Sequence, residues 1–102
     1  MDRIAALSEI VQMNPADSFA RYGLAMAYAA EGRNDEALAE YTQTTEHNAD
    51  YVPAYQMSAQ LLLKLGRTAE AKARVEAGLA AAERTHNAHA QSELGAMLDE
   101  LS

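Results

Sequence analysis

The chain has no cysteine, which excludes disulfides, thiolate metal sites and a thiol nucleophile and gives no sign of an oxidising compartment. Only two prolines and five glycines interrupt the 102 residues, and most of the glycines are expected near helix ends. Runs of β-branched residues are absent. No apolar stretch approaches the ~18–20 residues that span a bilayer, and MDRIAALSEIV lacks the charged-then-apolar order of a signal segment. The expectation is a cytoplasmic protein with no membrane partner. Bases are scarce: eight Lys and Arg face fifteen Asp and Glu, for a net charge of −7. A phosphate backbone would meet long-range repulsion, so nucleic acid is excluded as a partner. Residues 1–50 carry nine acids and three bases, residues 51–102 six and five.

What the chain has in quantity is alanine, 23 residues of it, within 49% apolar composition. Helix-favouring residues are abundant and bulky core residues few, which points to closely packed helices in one domain. Ala20, Ala25, Gly32, Arg33, Glu36, Ala37 and Ala39 return as Ala54, Ala59, Gly66, Arg67, Glu70, Ala71 and Ala73. Each pair is 34 residues apart, so ARYGLAMAYAAEGRNDEALAEY is a repeat unit.

Apolar spacing and breakers predict six helices. The first covers 3–13, with Ile4, Leu7, Ile10 and Val11 at helical spacing, and stops before Pro15. The second is capped by Asp17 or Ser18 and stopped by Gly32, which enters the left-handed conformation without a Cβ penalty. Asn34 is the expected cap of a third helix over about 35–47, with Asp35 and Glu36 against the positive end of its dipole. Pro53 sits in the first turn of a fourth helix that ends at Gly66. Thr68 is expected to cap a fifth over about 69–84, and Asn87 a sixth over about 88–101 with Leu94, Met97, Leu98 and Leu101 as its stripe. Links this short make neighbouring helices antiparallel hairpins.

The 34-residue interval resembles the tetratricopeptide repeat family. In repeat 1, over 18–51, Leu24, Ala25, Tyr28, Ala37 and Tyr41 fill signature positions, while Arg21 stands for the tryptophan and Ala49 for the proline. Repeat 2, over 52–84, offers Tyr55, Ala59, Leu62, Ala71 and Val75, with Ser58 for the leucine and Glu83 for the proline. Residues 1–17, with Ile4, Leu7 and Met13-Asn14-Pro15, resemble a preceding half-repeat, and 85–102 a capping helix. The resemblance implies an all-α, right-handed superhelical solenoid of antiparallel helix hairpins. Ala25 with Ala37, and Ala59 with Ala71, would let paired backbones approach at the small end of the usual ~8–10 Å.

The resemblance further implies a concave groove that holds a peptide. It puts Phe19, Tyr22, Met26, Ala29 and Ala30 of the first repeat on that groove, and Gln56, Gln60, Leu63 and Lys64 of the second. Family members that grip a chaperone's C-terminal carboxylate use Lys and Asn there. Tyr22, Met26, Gln56 and Gln60 lack that chemistry, so the expected partner is a protein or peptide with an apolar segment. The alternative is a homo-oligomer or structural element whose groove is filled by its own or a sister chain, with the sixth helix's leucines as the contact. No cofactor is implied. His86-x-x-His89 could place two imidazoles on one helix face, but no third ligand is evident and no metal site is expected. The serines lack a G-x-S-x-G context and no glycine-rich phosphate loop is present, so an enzyme is not expected.

Overall fold

A computed structural model describes residues 2–101. Among the described residues there are six α-helices and no strand: α1 Arg3–Met13, α2 Ser18–Ala30, α3 Asn34–His47, α4 Val52–Lys64, α5 Thr68–Arg84 and α6 Ala88–Leu101. They divide between two compact units, Met1–Ala49 and Asp50–Ser102, with three helices in each.

In the first unit, Asp2 caps α1 by accepting from the Ile4 N–H at 3.1 Å, a cap the hydrophobic pattern does not announce. Ile4 and Val11 bury with Ala20, Leu24 and Ala27, and Leu7 and Tyr28 pack around them. A Cβ on Gly23 would stand 3.7 Å from the Leu7 methyls, so that glycine lies beneath the α1–α2 contact. Ile10 departs from the expected stripe and is 45% exposed. Six residues from Ile4 is about 120° round the helix, outside the face that Ile4, Leu7 and Val11 define.

Asp17 caps α2, accepting from the Ala20 N–H at 3.0 Å. At the other end Gly32, at φ 77°, lets the Arg33 N–H bond back to the Tyr28 carbonyl at 2.9 Å and its own N–H reach the Ala29 carbonyl at 3.1 Å. These paired bonds satisfy the last carbonyls and reverse the chain. Ala25 and Ala37 are both fully buried, as close approach of α2 and α3 requires.

The same turn sets the cap positions of α3 and α5. Asn34 does not cap α3, and Thr68 does not cap α5; each is already helical, and the residue before it, Arg33 or Arg67, occupies the cap position without a side-chain cap bond. The bonds across the glycine set where the helix begins. Arg33 then draws Glu36 into a two-pronged pair at 2.8 and 2.6 Å, and Arg67 pairs with Glu70 through its Nε, so the glutamate that would complete a capping box is held by the arginine instead.

In the second unit, Pro53 lies in the first turn of α4 as expected. Gly66, at φ 76°, repeats the stop of Gly32, and Ala59 and Ala71 are fully buried. The core joins Val52, Tyr55, Ala59, Val75, Ala81 and Ala82 to Ala90 and Leu94 of α6. Met97, Leu98 and Leu101 pack against it, so α6 turns its apolar stripe onto the α4–α5 hairpin. Burying Leu94 alone contributes about 1.5–3 kcal/mol.

Glycines are placed differently from the expectation. Only Gly32 and Gly66 stop helices; Gly23, Gly78 and Gly95 lie inside them. At Gly78 a Cβ would come within 2.8 Å of the Tyr55 Cβ and 3.2 Å of Leu94, so three helices meet over a residue without a side chain. α5 has 17 residues against 14 in α3. Its extra turn ends at His86, which takes the left-handed position at φ 55°.

Candidate binding faces

On α2, the Asp17 cap starts the helix so that Ala20, Leu24 and Ala27 face the core. Phe19, Tyr22 and Met26, at intervals of three and four, are left on the other side. Phe19 is 76% exposed, Tyr22, Met26 and Ala29 are half-buried, and Ala30 is exposed. Tyr22 is held from beneath by Tyr41 of α3, ring centroids 6.0 Å apart at 54°. That tilted contact adds about 0.5–1.5 kcal/mol and fixes the ring. Burial, and then the neighbouring Tyr22, push the Tyr41 phenol up to about 12. Tyr41 is therefore a neutral support for half-buried Tyr22.

On α4, Val52, Tyr55, Ala59 and Leu62 are buried, which leaves Gln56 and Leu63 half-buried and Gln60 and Lys64 exposed. Gln56 is engaged within the unit: its Nε2 donates to Glu93 Oε1 of α6 at 3.2 Å. Glu93 also meets His89 Nε2 at 3.1 Å. The sequence-predicted residues thus form a mainly apolar stripe on α2 and an amide-and-lysine face on α4. Glu93, as a bridge between Gln56 and His89, was not predicted; its only sequence signal is the i,i+4 spacing to His89.

The histidine pair does not take the geometry its spacing suggests. His86 lies in the turn before α6, not on the helix, so the i,i+3 relation on one face is lost. Among the described residues no group of three or more His, Cys, Asp or Glu could hold a metal ion. Near His86 an open concavity of about 570 Å³ is lined by Asp50–Pro53 and Thr85–Ala88, beside the Arg84–Asp50 ion pair at 2.8 Å. Among the described residues no helix is long and apolar enough to cross a membrane.

A family model described as tetratricopeptide repeat matches residues 4–58 and 28–94. Among solved structures, the TPR2B domain:pHsp70 complex of yeast Sti1 matches with a TM-score of 0.86 and 20% identity, over 96% of this chain and 78% of that one. The solution structure of a tetratricopeptide repeat domain protein from Salinibacter ruber matches with a TM-score of 0.80 and 28% identity, over 87% and 90%. No curated protein gives a significant match. These likenesses agree with the six helices and with the 34-residue period, and they make the fold an all-α helical-repeat solenoid.

Proposed function

Since the chain belongs to the tetratricopeptide repeat family, we propose that it is a non-catalytic, cytoplasmic module that binds a protein or peptide through the exposed faces of α2 and α4. The family is commonly one of interaction modules, and one similar structure is of a domain with a partner, the TPR2B domain:pHsp70 complex of yeast Sti1. In this reading residues 1–17 are a half-repeat, 18–51 and 52–84 the two repeats, and 85–102 the closing helix.

The observation that carries the reading is the α2 stripe. Phe19 is 76% exposed on a helix whose other face is fully used by the core, and Tyr22 beside it is braced by Tyr41. A braced aromatic loses little rotamer freedom on binding, which is the usual character of an anchor. Tyr22, Met26, Gln56 and Gln60 offer no cation for a terminal carboxylate, so the bound segment is read by apolar contact at Phe19, Tyr22, Met26, Ala29 and Ala30. The face of α4 with Gln56, Gln60, Leu63 and Lys64 offers amide groups and one charge.

Isothermal titration of apolar peptides recovered from a native-proteome pull-down tests this. Phe19→Ser, at an exposed position, should weaken binding about tenfold and Gln60→Ala about threefold. Unchanged affinity in both variants would remove these faces from consideration.

A further inference from the structure

Gln56 of α4 and Tyr22 of α2 are 34 residues apart, and each is held by a side chain of another helix. Tyr22 rests on Tyr41 of α3. The counterpart of Tyr41 is Val75, which has nothing to offer an amide, and Gln56 is held instead from α6: its Nε2 donates to Glu93 Oε1 at 3.2 Å. His89, one turn earlier on α6, brings its Nε2 to the same oxygen at 3.1 Å. An ionised carboxylate only accepts hydrogen bonds, so the Gln56 amide must turn its NH2 towards Glu93 and its carbonyl away. Gln56 Oε1 and Glu93 Oε2 accept no hydrogen bond among the described residues.

The charges on α4 and α6 themselves select what those oxygens take. Within Val52–Lys64 the one charged residue is Lys64, eight residues beyond Gln56 and so about 12 Å along the helix. Within Ala88–Leu101 the charged residues besides His89 are Glu93, Asp99 and Glu100, with no lysine or arginine. Among the described residues the ion-pair partner of Glu93 is His89, and no lysine or arginine reaches it. We infer that Glu93 and Gln56 form a subsite for a basic side chain, lysine or arginine, of the bound segment. Glu93 supplies the charge, and by holding the Gln56 NH2 it leaves the amide carbonyl as the second acceptor. Glu93 is thus both a binding group and a positioning residue. The inference rests on the peptide-binding reading of α4 given above and adds a cationic residue to the apolar segment.

The orientation of the amide is read without any peptide. In ¹H–¹⁵N spectra the Gln56 side-chain NH2, assigned by its loss in Gln56→Leu, should show one proton shifted downfield of free glutamine. In Glu93→Ala it should return to the free-glutamine position. Binding is read by calorimetry with short apolar host peptides that differ only at the central residue: arginine, its neutral isostere citrulline, or glutamate. The arginine peptide should bind about fivefold more tightly than the citrulline peptide, and the glutamate peptide more weakly than both. That preference should vanish in Glu93→Gln and shrink as salt is raised. Glu93 is exposed, and a thermal melt matching the parent's establishes that the variants are folded. An arginine peptide that binds no better than the citrulline one overturns the inference, and so does a preference retained in Glu93→Gln. A Gln56 amide signal unmoved by Glu93→Ala overturns it as well. If Phe19→Ser and Gln60→Ala weaken binding as expected while arginine confers no advantage, the reading of the faces stands and this inference alone fails.

Discussion

The α2–α3 and α4–α5 hairpins share a backbone plan but solve the same contact with different chemistry. Arg21 and Tyr55 are 34 residues apart, as are Glu40 and Arg74. In the first hairpin Arg21 of α2 pairs with Glu40 of α3 at 3.0 Å, both side chains largely shielded, and its Nε donates to the Pro15 carbonyl at 2.7 Å. In the second, the cation has moved to the other helix: the Arg74 guanidinium of α5 lies 4.7 Å from the ring centroid of Tyr55 on α4. Leu24 and Ser58 differ for a related reason. Ser58 Oγ accepts from Arg74 Nε at 3.1 Å while it donates to the Ala54 carbonyl at 2.7 Å. An apolar leucine serves where an ion pair crosses nearby, and a hydroxyl where an arginine must be received. Departures from the repeat pattern are thus matched across helices.

The matching is broken most strongly by giving the second hairpin the first one's leucine. Ser58 is 2% exposed, so Ser58→Leu adds volume to a filled site and takes an acceptor from a guanidinium that burial already holds below its usual range. The expected cost is about 3 kcal/mol in urea unfolding, from overpacking together with a lost charge-assisted bond. With Arg74→Met in the background the cost should fall by about 1–2 kcal/mol, and strict additivity would show that the two residues are not coupled.

A second contrast is Tyr41 against its counterpart Val75, both buried to 1% exposure or less. Tyr41 ionises near its ordinary value of 10 when unfolded and at about 12 when folded. The unfolded chain therefore loses that proton first, and its contribution, intact below pH 10, falls away as pH rises to 12. The loss is on the order of 2 kcal/mol. Tyr41→Phe should flatten this part of the stability curve; an unchanged slope would place the effect elsewhere.

Thr44 and Gly78 are the third related pair. Thr44 is fully buried and donates to the Glu40 carbonyl at 2.7 Å, so the first hairpin accommodates a β-branched side chain where the second accepts none. Gly78→Ala gains about 1 kcal/mol of helix propensity but drives a Cβ into that of Tyr55, which is tied to the α4 backbone. A net loss of about 1–2 kcal/mol is expected. A gain would mean that α4 and α5 can move apart.

The residues that each depend on a local rule were legible in the sequence. α1 and α6 have the expected bounds, Gly32 and Gly66 stop their helices, and the α6 stripe is apolar. What escaped were relations between helices. Arg21 and Ser58 read as lapses from a pattern because their partners, Glu40 and Arg74, lie 19 and 16 residues away on another helix. Asn34 and Thr68 read as caps because a cap is scored by residue type, whereas the turn bonds to Arg33 and Arg67 set the register. Of the candidate faces, the helical spacing of Phe19, Tyr22 and Met26 was legible, and the exposure of Ile10 and Met13 on α1 was not. Ile10 has the residue type of a core position, and only the three-dimensional neighbours show which of two apolar faces is covered.

The smallest effect concerns the turns themselves. Three of them carry the same pair of bonds: Arg33 to Tyr28 with Gly32 to Ala29, Arg67 to Leu62 with Gly66 to Leu63, and Asn87 to Ala82 with His86 to Glu83. The left-handed residue is glycine in two and His86 in the third. An L-residue there carries a torsional cost of about 1–2 kcal/mol, offset in part because it has less unfolded entropy to lose than glycine. His86→Gly should therefore stabilise the chain by about 0.5–1 kcal/mol, and Gly66→Ala, where no atom lies within 4 Å of the new Cβ, should cost about 1 kcal/mol for the converse reason. If His86→Gly destabilises instead, the imidazole at the rim of the Asp50–Ala88 concavity must contribute more than the strain it imposes. The third turn would then differ from the other two in its contacts as well as in its residue.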